Sequence, residues 1–397
     1  MHDPRPSTPF AVPPAPPLEA YDDGSNEWAP GQHIGRFTLV RTLAKGGMGE
    51  VWLARRNHGL PLRQEVVLKR VLMATEQEEE LVESLKDEAR ILAQLNHPGI
   101  VRVFALDEHD DTYFLVLEYL HGHTLGQVLS RLRKMKRAFP RAFAVYLLAL
   151  AARGLGYAHR KCSDDGQPLH IVHRDVSPQN LFLTFGGEIK LIDFGIAKTA
   201  ALASRTRAGT LKGKLTYMAP EQCIGHKVDA RADVFSMGVV LFEALSATRF
   251  HLDKDDAQVL LTLRDNFEAP DVRTRNGDIS ADLAAVVSRA LMTSPAERFA
   301  DGEELAEALF DWLSSQRAVI APADIAVLMH EVYSSELAMQ IGPDDETDLF
   351  SMPVVVQHTQ TLESIPAALS RDIVAIERPG LAGKHSEPLT PVPHQRR

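Results

Sequence analysis

Two short polar loops, each directly after an apolar segment, constrain this chain more than any other feature. The first, IVHRDVSPQN at 171–180, follows an apolar helix and a short strand and carries Asp175 and Asn180. The second, KLIDFG at 190–195, places Asp193 at the start of a glycine turn after another strand. Two carboxylates and a carboxamide on neighbouring loops suit one general base and one pair of metal ligands. Each residue alone fits an ordinary polar loop, but the combination in this order does not.

The N-terminal part supplies groups that could hold phosphates. Gly46, Gly47 and Gly49 form a turn between two strands, where backbone N–H groups can approach an anion without a Cβ in the way. Lys69 lies near the end of an apolar strand, and Glu88 lies on the following helix. Taken singly, these are equally well a hairpin turn, a solvated lysine and a surface carboxylate.

The pattern of apolar residues predicts an α+β fold in two lobes. A small β-rich lobe with one helix, Glu76–Leu95, covers about 37–120, and a larger, mainly helical lobe covers about 121–313. Predicted helices of the larger lobe are Ala142–Tyr157, Ala232–Leu245, Ala257–Phe267, Ile279–Leu291 and Gly302–Leu313. We expect a disordered proline-rich arm at 1–32, a domain at 33–313, a helical extension at 314–341 with a helix at Pro322–Leu337, and a disordered tail at 342–397.

Composition gives indications about partners and cellular compartment. The net charge of −10 argues against a nucleic-acid partner, and two cysteines without metal-ligand spacing fit a reducing compartment. The N-terminus lacks the apolar stretch of a signal peptide, and the most apolar run, Ala142–Ala152, is too short to span a bilayer. We therefore expect a cytoplasmic protein without membrane association.

The ordered set of motifs resembles the protein kinase superfamily, and specifically the bacterial, eukaryotic-like serine/threonine kinases. The resemblance covers about Phe37 to Leu313 and implies a bilobal fold with ATP and Mg²⁺ bound between the lobes and proteins as substrates. It also implies autophosphorylation of the activation loop, with self-association as the route to it. The matching glycine-rich loop comprises Leu43, Ala44, Gly46, Gly47, Met48, Gly49 and Val51.

The resemblance assigns a role to each matching residue. Lys69 would contact the ATP α- and β-phosphates and pair with Glu88, whereas the backbone at Glu118 and Leu120 would hold the adenine. Asp175 would be the catalytic base. Asn180 and Asp193 would hold Mg²⁺.

Further motifs define an activation segment. The sequence APE at 219–221 would close it, with Glu221 paired to Arg298, and Asp233 would brace the catalytic loop. Arg174 suggests control by phosphorylation, because an arginine there can grip a phosphate. The candidate sites are Ser204, Thr206 and Thr210, each of which is otherwise an ordinary polar loop residue.

Three positions depart from the family pattern. Ala44 replaces the first glycine of the loop, Ser177 stands where these kinases carry a catalytic lysine, and Lys214 stands where they carry threonine. We hypothesise a reciprocal exchange in which Lys214 supplies the cation that position 177 lacks. The alternative is that Lys214 faces solvent and the enzyme is slower.

Three other functions are alternatives to a serine/threonine kinase. Ser177 and Ala44 motivate a pseudokinase or weakly active nucleotide-binding scaffold, but the lysine, base and metal ligands are all present. A tyrosine kinase is disfavoured, because HRDVSPQN lacks the alanine and arginine features of that group. A small-molecule kinase would usually lack a full activation segment ending in APE.

Overall fold

Strands with runs of buried apolar residues build an antiparallel sheet in the N-terminal lobe. The computed structural model describes residues 27–46, 49–57, 64–70, 86, 89–110, 112–194, 215–251, 254, 256–265 and 267–340. Six strands form one sheet in the order β1-β2-β3-β4-β6-β5, and every pairing is antiparallel. The strands are β1 (His33–Ile34), β2 (Phe37–Gly46), β3 (Gly49–Arg56), β4 (Glu65–Arg70), β5 (Val103–His109) and β6 (Thr112–Glu118).

The folded lobe begins earlier in the chain than predicted. Trp28 lies within the predicted disordered arm at 1–32, yet it is buried against Trp52 and Phe114, with ring centroids 6.5 and 5.6 Å away. The guanidinium of Arg70 lies 5.6 Å from the Trp28 ring. A large aromatic ring in such a site contributes substantially to packing. Residues 27–32 therefore belong to the N-terminal lobe.

One helix packs on this sheet. Residues 86 and 89–93 are helical and form α1, with Ala89, Leu92 and the following Leu95 buried in the core. This agrees with the helical spacing predicted for Glu76–Leu95. The remainder of that predicted helix lies outside the described residues.

The larger lobe is mainly helical, as predicted. Its helices are α2 (Leu125–Lys134), α3 (Arg141–His159), α4 (Pro220–Cys223, a single turn), α5 (Ala230–Ser246), α6 (Asp256–Asp265), α7 (Ala281–Ala290), α8 (Gly302–Ser315) and α9 (Pro322–Gln340). The capping box of Thr124 and Gln127 fixes the start of α2. The sequence patterns predicted α3, α5, α6, α7, α8 and α9. Helices α3, α5, α8 and α9 extend one to three residues beyond their predicted ends, whereas α6 ends two residues early, α7 is shorter at both ends, and α2 was not predicted.

Two glycines let α3 and α8 cross closely. A Cβ added to Gly156 would lie 2.4 Å from the backbone nitrogen of Glu303, and one added to Gly302 would lie 2.3 Å from the carbonyl oxygen of Ala152. The two backbones therefore touch, and this contact places α3 at the centre of the lobe.

Helix α3 also passes a test for membrane spans on length and composition alone. Within the described part of the chain it is the one helix that does so, and 61% of its most apolar 18-residue window is buried inside the domain. The expected absence of membrane association and the cytoplasmic location stay predictions.

A second, small sheet lies behind the two polar loops. Strands β7 (Gly122–Thr124), β8 (Leu181–Thr184) and β9 (Ile189–Leu191) pair antiparallel in that order. The strand expected directly before the first polar loop is absent: the described residues 169–173 form no strand, and the nearest pairing is an isolated bridge between Cys162 and Pro168. The start of the loop is therefore held by the Asp233 side chain rather than by a sheet.

Candidate active site

A cleft of about 780 Å³ lies between the two lobes. Val51, Val67 and Lys69 line it from the N-terminal lobe, and Leu120 and Asp193 line it from the connection and the other lobe. A cleft of this size, largely apolar with a few charged groups, is typical of a small-molecule site.

Lys69 and Asp193 meet inside the cleft. Lys69 lies on β4 with its side chain 22% exposed, and its Nζ forms an ion pair with Asp193 Oδ1. Asp193 follows β9 with a φ of +57°, a left-handed conformation that turns its carboxylate away from the strand direction. Glu88, the predicted partner of Lys69, lies outside the described residues.

Asp175 and Asn180 form a second polar pair. The amide nitrogen Nδ2 of Asn180 donates to the Asp175 backbone oxygen at 2.7 Å and to its carboxylate Oδ2 at 2.9 Å. Because both Asp175 oxygens are acceptors, the amide group of Asn180 must turn its nitrogen Nδ2 toward them. Its oxygen Oδ1 then faces the opposite side. The loop therefore presents a carboxylate and a carbonyl oxygen from neighbouring positions.

Backbone hydrogen bonds hold these two pairs together. Ile192 N, next to Asp193, donates to Asn180 O at 2.9 Å. The His173 ring accepts a hydrogen bond at Nδ1 from Asp175 N (3.3 Å), so its Nε2 carries the proton donated to Ile192 O (3.1 Å). Burial lowers the pKa of His173, despite the nearby Asp233 and Asp175 carboxylates, and keeps the ring neutral. The predicted site residues Lys69, Asp175, Asn180 and Asp193 thus belong to one hydrogen-bonded frame.

Asp233 fixes the catalytic loop from beneath. Its carboxylate is fully buried at the start of α5 and accepts from His173 N at 2.7 Å and Arg174 N at 2.8 Å. His159 at the end of α3 donates to the same carboxylate at 2.9 Å, and its other ring nitrogen accepts from Gly302 N. Arg174 has a φ of +61°, a conformation that these bonds hold in place.

The predicted pair of Glu221 and Arg298 is present and buried. Arg298 makes a two-point ion pair with the Glu221 carboxylate at 2.7 and 2.9 Å. Its remaining donors reach the backbone oxygens of Met292, Arg231 and Thr293. All the guanidinium N–H groups are therefore used, which anchors α4 to the larger lobe.

The predicted nucleotide-binding loop is described in part. Leu43, Ala44 and Val51 line the cleft, and Gly46 pairs with Gly49, whose φ is +128°. Ala44 pairs with Val51 across the hairpin without a positive φ, so its methyl group is accommodated. Gly47 and Met48 lie outside the described residues.

The connection between the lobes carries a contact that the sequence did not predict. Glu118 accepts a two-point hydrogen bond from Lys190 Nζ at 2.9 and 3.1 Å, which ties the connection to β9. Its backbone N–H donates to Arg102 O at 2.9 Å and is therefore committed to the sheet. Adenine contacts here would fall to the Glu118 carbonyl group and the Leu120 backbone. Lys190 lies on a strand of three residues, and nothing in the sequence pattern indicated that it pairs with Glu118.

Among the other predicted positions, the structure describes Ser177 only. Ser177 is buried in the loop, 4% exposed, and its carbonyl oxygen accepts from Asn180 N. Lys214 and the candidate phosphorylation sites Ser204, Thr206 and Thr210 lie outside the described residues.

The arrangement fits a magnesium ion. Asp193 offers an exposed carboxylate on the cleft wall, and Asn180 offers an amide oxygen turned away from Asp175. Oxygen donors of this kind are those that Mg²⁺ prefers, usually with substrate phosphates completing its shell. In the part of the chain that the structure describes, no cluster of three or more metal-ligating side chains occurs.

Comparison with known protein families agrees with this geometry. Residues 37–312 match the protein kinase domain, and the chain belongs to the protein kinase family. The bilobal fold is confirmed by its similarity to the crystal structure of the Mycobacterium tuberculosis PknI kinase domain, with a TM-score of 0.56 and 27% identity. That comparison covers 72% of this chain and 100% of the other.

Proteins similar in sequence are named either tyrosine-protein kinases or serine/threonine-protein kinases. The chain is 40% identical to the tyrosine-protein kinase MasK of Myxococcus xanthus, over 71% of this chain and 44% of that protein. It is 33% identical to the serine/threonine-protein kinase PknA of Mycobacterium tuberculosis, over 69% of this chain and 61% of that protein. The chain thus spans roughly half the length of such relatives.

Proposed function

We propose that this protein is an ATP- and Mg²⁺-dependent protein kinase that phosphorylates serine and threonine hydroxyls, including its own. One observation carries the proposal: Lys69 and Asp193 meet in the cleft, and the backbone links Asp193 to Asp175 and Asn180. A scaffold that only bound nucleotide would have no chemical need for this complete set.

Each side chain has a defined task in this reaction. Lys69 binds the α- and β-phosphates, and Asp175 accepts the proton of the substrate hydroxyl as its oxygen forms a bond to the γ-phosphorus and the bond to ADP breaks. Asn180 and Asp193 would hold Mg²⁺, which neutralises charge on the phosphates when bound. Neutral His173 cannot compete for the transferred proton, because both ring nitrogens are engaged.

The second candidate function is a protein kinase that phosphorylates tyrosine hydroxyls. The name of MasK favours tyrosine, whereas the names of PknA and of PrkC from Bacillus subtilis favour serine and threonine. The loop HRDVSPQN lacks the alanine and arginine that follow the aspartate in tyrosine-specific kinases. We therefore place serine and threonine first.

Incubation of the purified chain with Mg²⁺ and ATP, followed by mass spectrometry, tests both points. We expect phosphate on serine or threonine, with Ser204, Thr206 and Thr210 as the first candidates. Phosphotyrosine alone would establish the second candidate instead. No phosphate on the chain or on a basic model protein, despite measured ATP binding, would establish a nucleotide-binding scaffold.

We further propose that Lys214 supplies the cation missing at Ser177. Two described contacts support this proposal. Gln222 donates to Arg174 O at 3.4 Å, and Ser236 donates to Tyr217 O at 2.7 Å. They join the chain that follows Lys214 to the catalytic loop and to α5.

Lys214→Ala is expected to lower kcat about 10²-fold, because a cation beside the transferring phosphate stabilises the transition state. Lys212→Ala, two residues away, is the matched control and should leave kcat unchanged. The double variant Ser177→Lys, Lys214→Thr restores the usual arrangement and should recover activity lost in Lys214→Thr. Normal turnover of Lys214→Ala in steady-state assays would disprove the exchange.

A further inference from the structure

Helix α9 lies beyond the part of the chain that matches the protein kinase domain, which ends at residue 312. Its side chains Ile325, Leu328, Met329 and Val332 are each at most 2% exposed and belong to the main hydrophobic core. Burial of four such side chains stabilises the contact strongly. The helix is therefore an integral part of the larger lobe.

Both ends of the docked region are fixed. At the start, Gly187 in the β8–β9 turn has a φ of +83°, and a Cβ there would lie 1.9 Å from Pro322 O, so backbone touches backbone. Further along, Glu331 accepts a hydrogen bond from Arg137 at 3.2 Å. These contacts set the position of α9 along the lobe.

The last described side chains of α9 reach an aromatic cluster. The Tyr333 ring is 3% exposed and stacks on His123, with centroids 3.7 Å apart and planes 10° apart. Phe185 packs edge-on against Tyr333 at 6.1 Å and against His123 at 5.7 Å. The helix has non-helical dihedrals at Tyr333 (φ −116°, ψ 16°), so the stack coincides with a kink.

His123 and Phe185 are themselves part of the cleft wall. His123 is the middle residue of β7, and the cleft is lined by all of β7 and by Phe185. Phe185 N donates to His121 O at 2.9 Å, which joins the end of the inter-lobe connection to β8. His123 therefore belongs both to the residues that line the cleft and to the contact with α9.

We propose that Tyr333 is a positioning residue for nucleotide binding, which acts by holding His123 and β7 in the geometry that forms the cleft wall. This inference rests on the proposed function, since the ligand of the cleft is taken to be ATP or ADP. Docking of α9 and binding of nucleotide then favour each other by the same factor, because coupling between two sites is reciprocal.

Substitution at position 333 tests the stack. In the full chain, Tyr333→Ala should weaken ADP binding in the presence of Mg²⁺ by roughly 3–10-fold in titration calorimetry, as expected for loss of an aromatic contact. KM for ATP should rise while KM for a protein substrate stays constant, a split that general destabilisation would not produce. Tyr333→Phe keeps the ring and should bind normally, as should Val327→Ala on the exposed face of the same helix.

Hydrogen exchange of the unmodified chain tests the same coupling without a substitution that could impair folding. Saturation with ADP and Mg²⁺ should slow amide exchange in 325–333 and leave exchange in α8, at 305–313, unchanged. Equal exchange in 325–333 with and without bound ADP, or unchanged ADP affinity of folded Tyr333→Ala, would overturn the inference alone. Failure of the unmodified chain to bind ADP would overturn the proposed function as well.

Discussion

Replacing Asp175 by asparagine is expected to reduce kcat by about 10³-fold, within the range for loss of a general base. The side chain keeps its shape and can still accept a hydrogen bond from Asn180, so the loop should retain its geometry. Affinity for ADP should change little, because the carboxylate acts on the hydroxyl and not on the phosphates. Phosphate transfer to a model protein and ADP titration measure the two quantities.

Asp164→Asn is the matched control for this substitution. Asp164 is an exposed carboxylate in the turn after α3, and its replacement changes the net charge by the same amount. It should leave kcat unaltered. If Asp175→Asn retained a tenth or more of the activity, another group would have to accept the proton.

Replacing Arg298 by alanine should destabilise the domain by about 3–5 kcal/mol, the range observed when one partner of a buried ion pair is removed. The Glu221 carboxylate would remain buried without its counter-ion, and the backbone oxygens of Met292 and Thr293 would lose their donors. Unfolding by urea, followed by circular dichroism, measures the change in free energy of unfolding.

An exposed ion pair provides the comparison. Arg273 binds Asp271 at 2.6 Å, but its side chain is 48% exposed, so solvent replaces the lost contact. Arg273→Ala should leave the unfolding midpoint unchanged. The double variant Glu221→Ala, Arg298→Ala should cost less than the sum of the two single variants, because the residues contact each other. Additive losses would contradict the coupling.

Local pattern and spacing predicted the two lobes and three polar side chains of the site, and the family resemblance added the other site residues. Asp175, Asn180 and Asp193 were predicted to converge because they follow apolar segments on neighbouring loops, and the structure joins them through Ile192 and Asn180 backbone groups. The resemblance also predicted the pair of Glu221 with Arg298 and the bracing role of Asp233, both of which the geometry shows.

What sequence reasoning missed depends on contacts between distant segments. Strand β7 has three residues, Gly-His-Thr, and no alternation of apolar side chains that could have marked it. Trp28 sits in a proline-rich region whose composition indicated disorder, and only its pocket on the sheet reveals its place. The amphipathic pattern identified α9 but could not say which surface it covers.

The ion pair between Lys69 and Asp193 has a consequence for how the cleft receives its ligand. Lys69 and Asp193 are counter-ions for each other, so neither charge is left uncompensated in the partly desolvated cleft. With the proposed ligand, Lys69 would hold a phosphate and Asp193 would hold Mg²⁺, so each side chain would again face a charge of opposite sign.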